Sequence, residues 1–286
     1  FFVMTGNLAE YCTYLFDVLF DTAMDLIALT SVMPLSTVIQ ISCGRHHSMF
    51  LTLGGRLFAC GENECGQLGI NSQDDAMLPT IINHNIGHER IVSVACGAAH
   101  TLALTARGVG YAWGRGLEGQ LGTGKNIEAQ TTPSKLIMTT TIGFSHVAGG
   151  EEYSGGIATL SGYLYTWGTG DMGQLGHGTG SSGGSGGATK SSSSSSSLSI
   201  VETKETNLNS TSCWTPRRVP GINERVIELS LGTTHTAALT ELGQVYTWGS
   251  GWHGKLGHGG LNNCWVPTLV QFFSKCIVKH ISISEK

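Results

Sequence analysis

The sequence predicts an all-β protein, a β-propeller built from four-stranded blades. First, one phrase of β-prone residues, Trp-Gly and a Gly-bracketed loop occurs at Tyr111–Gly122, Tyr163–Gly176 and Tyr246–Gly257, and a fourth copy at Phe58–Gly69 has Cys60 in place of the Trp. Second, a Gly-containing phrase precedes each copy, and its first three glycines lie 53 residues apart, at Gly44, Gly97 and Gly150. Third, glycine accounts for 41 of 286 residues and charged residues for only 13%. Units of this length with short strands and Gly-rich turns are typical of a propeller blade or a similar array.

Each repeat is predicted to contain four strands. The first strand runs apolar up to the repeated glycine, as in Val38–Gly44, Ile91–Gly97 and Val226–Gly232. In the second repeat, His100–Thr105 and Val109–Trp113 are β-prone runs joined by a short Gly-containing turn, which predicts a hairpin. Pro-led phrases beginning at Pro79, Pro133, Pro216 and Pro267 predict the fourth strand. Proline is found at the start of a strand or on a sheet edge, so this strand is expected to be the outer one.

These strands divide the chain into successive units. Residues 1–37 form an N-terminal apolar segment, and the repeats cover 38–90, 91–143, 144–224 and 225–276. Residues 277–286 are predicted to begin a fifth repeat, with Val278, Ile281 and Ile283 at first-strand positions. The third repeat contains a Gly/Ser-rich insertion at 180–212, which lacks an apolar pattern and is expected to be a disordered surface loop.

The N-terminal segment is predicted to be an amphipathic helix rather than a membrane span. Tyr11–Val32 is strongly apolar, but Asp17, Asp21 and Asp25 recur every four residues and share one helical face. A bilayer-spanning helix tolerates such charges poorly, and no basic region precedes the segment as in a signal peptide. Because the chain opens on Phe1, we expect it to be a fragment of a larger protein.

Composition argues against several classes of partner and cofactor. The net charge of −4, with no basic block, gives no signal for nucleic-acid binding. Cys60 and Cys65 have no second pair at metal-ligand spacing, so no zinc site is predicted. Cys43 and Cys96 share one repeat position, which favours small buried side chains over a disulfide framework. Reduced thiols predict a cytoplasmic or nuclear protein.

Glycine-rich motifs in the chain resemble nucleotide-binding loops without their context. A G-x-G-x-x-G pattern begins at Gly114, Gly168 and Gly249, but no helix follows to hold a pyrophosphate. Gly119–Lys125 matches G-x-x-x-x-G-K, yet Asn126 stands where a phosphate loop needs Ser or Thr. We therefore predict structural turns, no bound cofactor and no catalytic residue.

A second set of repeated residues is predicted to be structural. His47, His100 and His235 share one position with Tyr153, which favours a hydrogen-bonding strut over a metal ligand, since Tyr is a poor zinc ligand. The repeat tryptophans and glycines are expected to form the blade core and its turns; they are Trp113, Trp167, Trp248, Gly44, Gly97, Gly150 and Gly232.

The pairing of ACGAAHTLALT with YAWGRGLEGQLGTG, and of SLGTTHTAALT with YTWGSGWHGKLGHG, resembles the regulator-of-chromosome-condensation repeat family over about Val38 to Val270. This resemblance implies a β-propeller, usually of seven blades. It also implies one of several functions, because members of the family differ in what they do. Members include a guanine nucleotide exchange factor for a Ran-type GTPase and propeller modules of HECT-type ubiquitin ligases. Fold alone does not choose among them.

Positions that differ between repeats are where a partner is expected to bind. They lie before the His/Tyr position and after the Trp-Gly dipeptide, where the framework glycines stay fixed. The candidate partner-contact residues are Trp252, His253, Glu151, Glu152, Arg45, His46, Arg115 and Asp171. The favoured hypothesis is a non-catalytic protein-interaction scaffold, and the alternative is a GTPase exchange factor or a ligase module. Trp252 has its own alternative, which is packing against a fifth blade.

Overall fold

The computed structural model describes residues 4–5, 37–86, 89–137, 143–178 and 212–283. The helix predicted over Tyr11–Val32 and all but the last residue of the predicted Gly/Ser insertion lie outside these ranges. Within them, the protein consists of four separate β-sheets and two short 3-10 turns.

Each sheet is a meander of four antiparallel strands in chain order, which confirms the predicted four-stranded blades. The first has strands β2 (Val38–Cys43), β3 (His47–Thr52), β4 (Leu57–Gly61) and β5 (Ala76–Ile81). The second has β6 (Ile91–Cys96), β7 (His100–Thr105), β8 (Gly110–Gly116) and β9 (Ile127–Lys135). The third has β10 (Phe144–Gly149), β11 (Tyr153–Ala158), β12 (Leu164–Gly168) and β13 (Cys213–Arg218). The fourth has β14 (Val226–Leu231), β15 (His235–Thr240), β16 (Val245–Gly249) and β17 (Cys264–Leu269).

A further short strand, β1 (Met4–Thr5), joins the first blade by parallel pairing with β2, where Met4 faces Ile41 and Thr5 faces Ser42. It lies next to β2 and so extends the inner side of that blade to a fifth strand.

The prolines lie inside the outer strands rather than at their starts. Pro79 is the fourth residue of β5, and Pro216 and Pro267 hold the same place in β13 and β17. The sequence pattern predicts that these strands begin at proline, whereas in the structure each begins three residues earlier. The difference has a simple cause: an edge strand has N–H groups that point away from its neighbour, so proline is tolerated there.

The core lies between blades as well as within them. Trp113 of the second blade packs in one cluster with Met49, Leu51 and Leu68 of the first. Trp167 and Trp248 are likewise fully buried. A single blade therefore leaves apolar area that only its neighbour covers, as in other repeat proteins.

In each of the first three blades, the Gln-Leu-Gly loop bonds to the next blade at one backbone atom. The carbonyl oxygen of Gln67 accepts hydrogen bonds from Trp113 Nε1 (2.9 Å) and from the Thr101 hydroxyl (2.8 Å). The carbonyl of Gln120 does the same for Trp167 (2.9 Å) and Ser154 (2.8 Å). We call this arrangement the latch. It recurs between the third and fourth blades, where the Gln174 carbonyl accepts from Trp248 and Thr236 (both 2.9 Å).

The segment that follows the fourth blade takes the place of a next first strand. Ile283 N donates to the Ser230 hydroxyl (2.9 Å), just as Cys96 N donates to the Ser42 hydroxyl (2.9 Å) between the first two blades. Ile281 N also bonds Glu228 Oε2 (3.0 Å). Residues 281–283 pair with no strand in the described part of the chain, but their position beside β14 matches that of β6 beside β2.

Candidate variable-loop face

The loops that vary between repeats lie at one end of the blades. In each blade the residue that opens the second strand pairs with the glycine that follows the Trp or Cys of the third strand, as His47 does with Gly61 and His100 with Gly114. Both loops of a blade therefore emerge together. We define the variable face as the loops 44–46, 61–76, 97–99, 114–127, 150–152, 168–178, 232–234 and 249–263.

Backbone hydrogen bonds join neighbouring loops of this face. Arg45 N donates to the Ala98 carbonyl (2.9 Å), and Ala98 N donates to the Gly150 carbonyl (3.2 Å). The innermost loops of the first three blades thus form a continuous backbone rim, on which side chains of different blades are brought close together.

Buried histidines support the rim from below. His47 is 3% exposed, and its Nε2 lies 3.0 Å from the Thr101 hydroxyl. That hydroxyl proton is already donated to the Gln67 carbonyl, so His47 Nε2 must carry a proton and donate. His100 makes the equivalent bond to the Ser154 hydroxyl (2.8 Å). Each histidine is therefore attached to the latch of its own blade through a hydroxyl of the next blade.

These imidazoles are held neutral. With Nε2 protonated, the Nδ1 atoms of His47 and His100 are bare, and neither has a hydrogen-bond partner among the described residues. Burial, aided by His46, lowers the pKa of His47 to about 4, and burial lowers the pKa of His100 to about 3. Half-buried His235 has its pKa lowered to about 4 by desolvation and then by Lys255.

The third blade has tyrosine in place of histidine and reaches further. The Tyr153 hydroxyl donates to the His235 carbonyl (2.6 Å) and lies 3.1 Å from the Thr236 hydroxyl. The Tyr153 ring lies close against Gly150, the glycine three residues earlier, as the imidazoles of His47 and His100 lie close against Gly44 and Gly97. A Cβ on Gly150 would collide with this ring, which explains why glycine is needed at that position.

Two ion pairs cross the rim. Arg45 of the first blade donates to the Glu151 carboxylate of the third, and Arg115 Nη2 of the second lies 3.7 Å from Glu152 Oε1. All four side chains are partly exposed. Adjacent carboxylates that are each paired with an arginine cannot act as a general acid and base sharing one proton. Their pairing instead fixes the shape and charge pattern of the surface.

Trp252 is the largest exposed side chain on the variable face. It opens the 3-10 turn Trp252–Gly254, is 71% exposed and meets the His253 ring edge-on at 5.7 Å. The equivalent residues of the other blades are Glu64, Leu117 and Asp171. Met172 on the neighbouring blade is also exposed, and its sulfur lies 3.9 Å from Asn263 Nδ2. The part of the variable face around Trp252 and Met172 therefore presents exposed apolar side chains.

The variable face is acidic as a whole. Its acidic residues outnumber its basic ones; they are Glu62, Glu64, Asp74, Asp75, Glu118, Glu151, Glu152 and Asp171, against Arg45, Arg115, Lys125 and Lys255. In the residues that the structure describes, no group of three or more His, Cys, Asp or Glu is arranged to hold a metal ion. No described helix is long and apolar enough to cross a membrane.

A comparison with family models agrees with the repeated four-stranded sheets. The model for the RCC1-like domain matches residues 34–285. The chain belongs to the RCC1-like domain family.

Individual relatives share this domain. The chain is 35% identical to human protein RCC2 over 242 residues, which cover 83% of this chain and 44% of RCC2. It is 32% identical to the human E3 ubiquitin-protein ligase HERC2 over 235 residues, 81% of this chain and 4% of HERC2. The chain thus spans less than half the length of both of these relatives.

Solved structures share the fold of this chain. The crystal structure of Kap60 bound to yeast RCC1 (Prp20) matches with a TM-score of 0.67 and 22% identity over 83% of this chain and 49% of that chain. Human WBSCR16 matches with a TM-score of 0.67 and 24% identity over 82% of this chain and 53% of its own.

The structure groups the candidate contact residues of this RCC1-like domain into two sets. Arg45, Arg115, Glu151 and Glu152 meet in the two ion pairs of the first three blades. Trp252 and His253 lie on the fourth blade, while exposed His46 and Asp171 lie on the first and third.

Sequence reasoning missed the glutamine carbonyls of the latch and the exposed Met172. The glutamines repeat in three of the four loops, so their recurrence was a usable signal. Their role was hidden because the backbone atom, not the side chain, makes the bond between blades.

Proposed function

We propose that this RCC1-like domain is a protein-interaction propeller, non-catalytic by itself, that binds a protein partner through the variable face. The observation that carries the proposal is the contrast within each loop: latch and glycines repeat, while the exposed residues between them differ and include Trp252 at 71% exposure. Binding residues are commonly placed on loops of a rigid scaffold, and exposed aromatic residues are typical interface anchors.

The charge of the variable face supports a particular partner chemistry. An acidic surface attracts a basic segment and disfavours an acidic one. Since Glu151 and Glu152 are already paired with arginines, the carboxylates most available to a basic partner are those farther from the rim, such as Glu64 and Asp74. We expect a basic protein segment that carries an apolar residue for the Trp252 side.

A capture experiment tests this proposal. The 286-residue chain is immobilised, and captured protein is compared among wild type, Trp252→Ala and the Glu64→Ala/Asp74→Ala double variant. Phe272→Ala is the matched control, because Phe272 is an equally exposed aromatic residue (84%) located after β17, away from the variable face. Loss of the same captured protein in both variable-face variants, but not in the control, is the expected result. Unchanged capture by correctly folded variants would refute the proposal.

The second candidate is guanine nucleotide exchange on a small Ran-like GTPase. Its support is fold likeness: the crystal structure of Prp20p from Saccharomyces cerevisiae, a protein that binds Gsp1p and histones, matches this chain with a TM-score of 0.64 and 22% identity. Release of labelled nucleotide from a panel of GTPases separates the candidates, because a scaffold leaves the release rate unchanged. Either function fits a cytoplasmic or nuclear protein, and the HERC2 likeness fits a module of a larger ligase.

A further inference from the structure

The end of the blades opposite the variable face carries exposed leucines at hairpin turns. We define the hairpin face as the turns 53–56, 106–109, 159–163 and 241–244 with the residues 89–90 and 224–225 that lead into the next first strands. Leu53 is 57% exposed, Leu160 88% and Leu242 61%, and each belongs to a turn of a different blade. In the remaining blade the turn presents exposed Arg107 instead.

Arginines from neighbouring blades hold two of these turns in place. Arg90, which precedes the second blade, donates from Nη2 to the Leu53 carbonyl of the first (3.1 Å). Arg225, which precedes the fourth blade, donates from Nη1 and Nη2 to the Leu160 (3.1 Å) and Thr159 (2.9 Å) carbonyls of the third. The backbone carbonyls of Arg90 and Arg225 also accept from the turns of their own blades (both 2.9 Å). The turns that carry Leu53, Leu160 and Leu242 are therefore each held by a hydrogen bond to Arg90 or Arg225.

These arginines keep their positive charge available. Their hydrogen-bond acceptors are neutral carbonyls, and in the described part of the chain no carboxylate lies within ion-pair distance of Arg56, Arg90, Arg107 or Arg225. On the hairpin face itself four basic residues (Arg56, Arg90, Arg107 and Arg225) stand against three acidic ones (Glu89, Glu224 and Glu241). The adjoining strand ends and residues 271–280 add Lys135, Arg218, Lys275 and Lys279, against Glu228. The described part of the chain is thus polarised, with an acidic variable face and a basic surface on and around the hairpin face.

We propose that the hairpin face docks on an anionic lipid membrane, with the leucine side chains entering the interfacial layer and the arginines lying among the headgroups. Apolar side chains combined with arginine or lysine are the chemistry of proteins that lie on such surfaces, because burial and attraction to anionic lipid add together. Arginine stems can also cover apolar area while their charged ends stay in the polar layer.

The placement of the leucines on separate blades favours a broad surface over a peptide. Leu53, Leu160 and Leu242 stand on turns between the second and third strands of three different blades, at the same end of their sheets. A single peptide strand or helix covers a narrow stripe, whereas a lipid surface contacts all three turns at once. The opposite face would then remain directed toward the aqueous phase and open to a protein partner, so this inference does not depend on the proposed function.

Vesicle sedimentation of the 286-residue chain tests the inference. The chain is mixed with vesicles of phosphatidylcholine alone or of phosphatidylcholine with phosphatidylserine, and the bound fraction is measured. We expect binding to the anionic vesicles that weakens with added salt. The Leu53→Ser/Leu160→Ser and Arg56→Gln/Arg107→Gln variants are expected to bind on the order of tenfold more weakly, since apolar burial and charge each contribute to affinity.

Matched controls come from the opposite end of the molecule. Leu261→Ser removes a leucine that is 66% exposed on the variable face, and Lys125→Gln removes an exposed lysine there. Both are expected to bind like wild type. The inference is overturned if wild type fails to bind anionic vesicles, if neutral vesicles bind equally well, or if folded hairpin-face variants match the controls. Binding of soluble poly-glutamate without vesicle binding would also overturn it and would indicate an acidic protein partner.

Discussion

Replacing Gly122 by alanine tests the latch between blades, because the same repeat position occurs three times against the tryptophan of a next blade and once, at Gly257, without one among the described residues. Gly122 has φ +63° and faces the next blade, where an added Cβ would lie 2.8 Å from Trp167 Nε1. Gly257 is its equivalent in the fourth blade, with φ +75°, and an added Cβ would meet only Val270 Cγ1 at 3.4 Å. Gly257→Ala is therefore the matched control for Gly122→Ala.

The two substitutions share one cost and differ in another. A non-glycine residue in the left-handed region costs about 1–2 kcal/mol, and both variants bear that cost. Gly122→Ala must in addition displace the Trp167 indole, whose N–H would lose the Gln120 carbonyl at 2.9 Å. A buried donor left unpaired costs about 1–3 kcal/mol and overpacking a similar amount, and the two overlap when the indole moves. We expect Gly122→Ala to be the less stable variant by roughly 2–4 kcal/mol.

Thermal and urea unfolding of both variants measures this difference. For a chain of this size each kcal/mol shifts Tm by about 2–4 °C, so the two midpoints should differ by roughly 4–16 °C. Tryptophan fluorescence gives an independent readout of whether the indole of Trp167 has moved. Equal midpoints for the two variants would show that the latch is not what requires glycine, and the account of blade packing given above would then be wrong.

Three further predictions follow from the rim and the variable face. Unfolded histidine binds a proton below a pKa of about 6.5, whereas buried His47 resists protonation down to about 4, so stability should be full above pH 6.5 and fall below it. His47 alone should remove up to roughly 3 kcal/mol between those values, and the lowered pKa values of His100 and His235 act in the same direction. Urea midpoints measured from pH 7 to 4 check this, and a flat profile would contradict it. A double-mutant cycle of Arg45→Ala and Glu151→Ala should give a coupling energy below about 1 kcal/mol, since the pair is exposed; a larger value would mean that the ion pair holds blades together. Trp252→Ala should change the unfolding free energy by less than about 0.5 kcal/mol, and a marked loss of stability would show that Trp252 is a packing residue.

The repeats made the fold predictable from sequence, and the contacts between repeats did not follow from it. Gly44, Gly97 and Gly150 fixed the unit length, and the Trp-Gly strand ends identified the third strand of each blade. The pairing of Arg45 with Glu151 could not be read in this way, because it joins residues 106 positions apart through the curvature of the rim. Alignment of repeats shows which positions vary, but it does not show which varying side chains meet.

The latch explains how such variation is tolerated in an RCC1-like blade. Each varying loop that follows a third strand lies between two glycines of positive φ, such as Gly114 (φ +101°) and Gly119 (φ +85°). The atom that bonds to the next blade, the Gln120 carbonyl, follows directly after the second glycine. Because that contact uses the backbone, the side chains between the glycines make no required bond across the blade interface. They are therefore free to change charge and size, as Leu117, Asp171 and Trp252 do at one equivalent position, while blade packing stays the same.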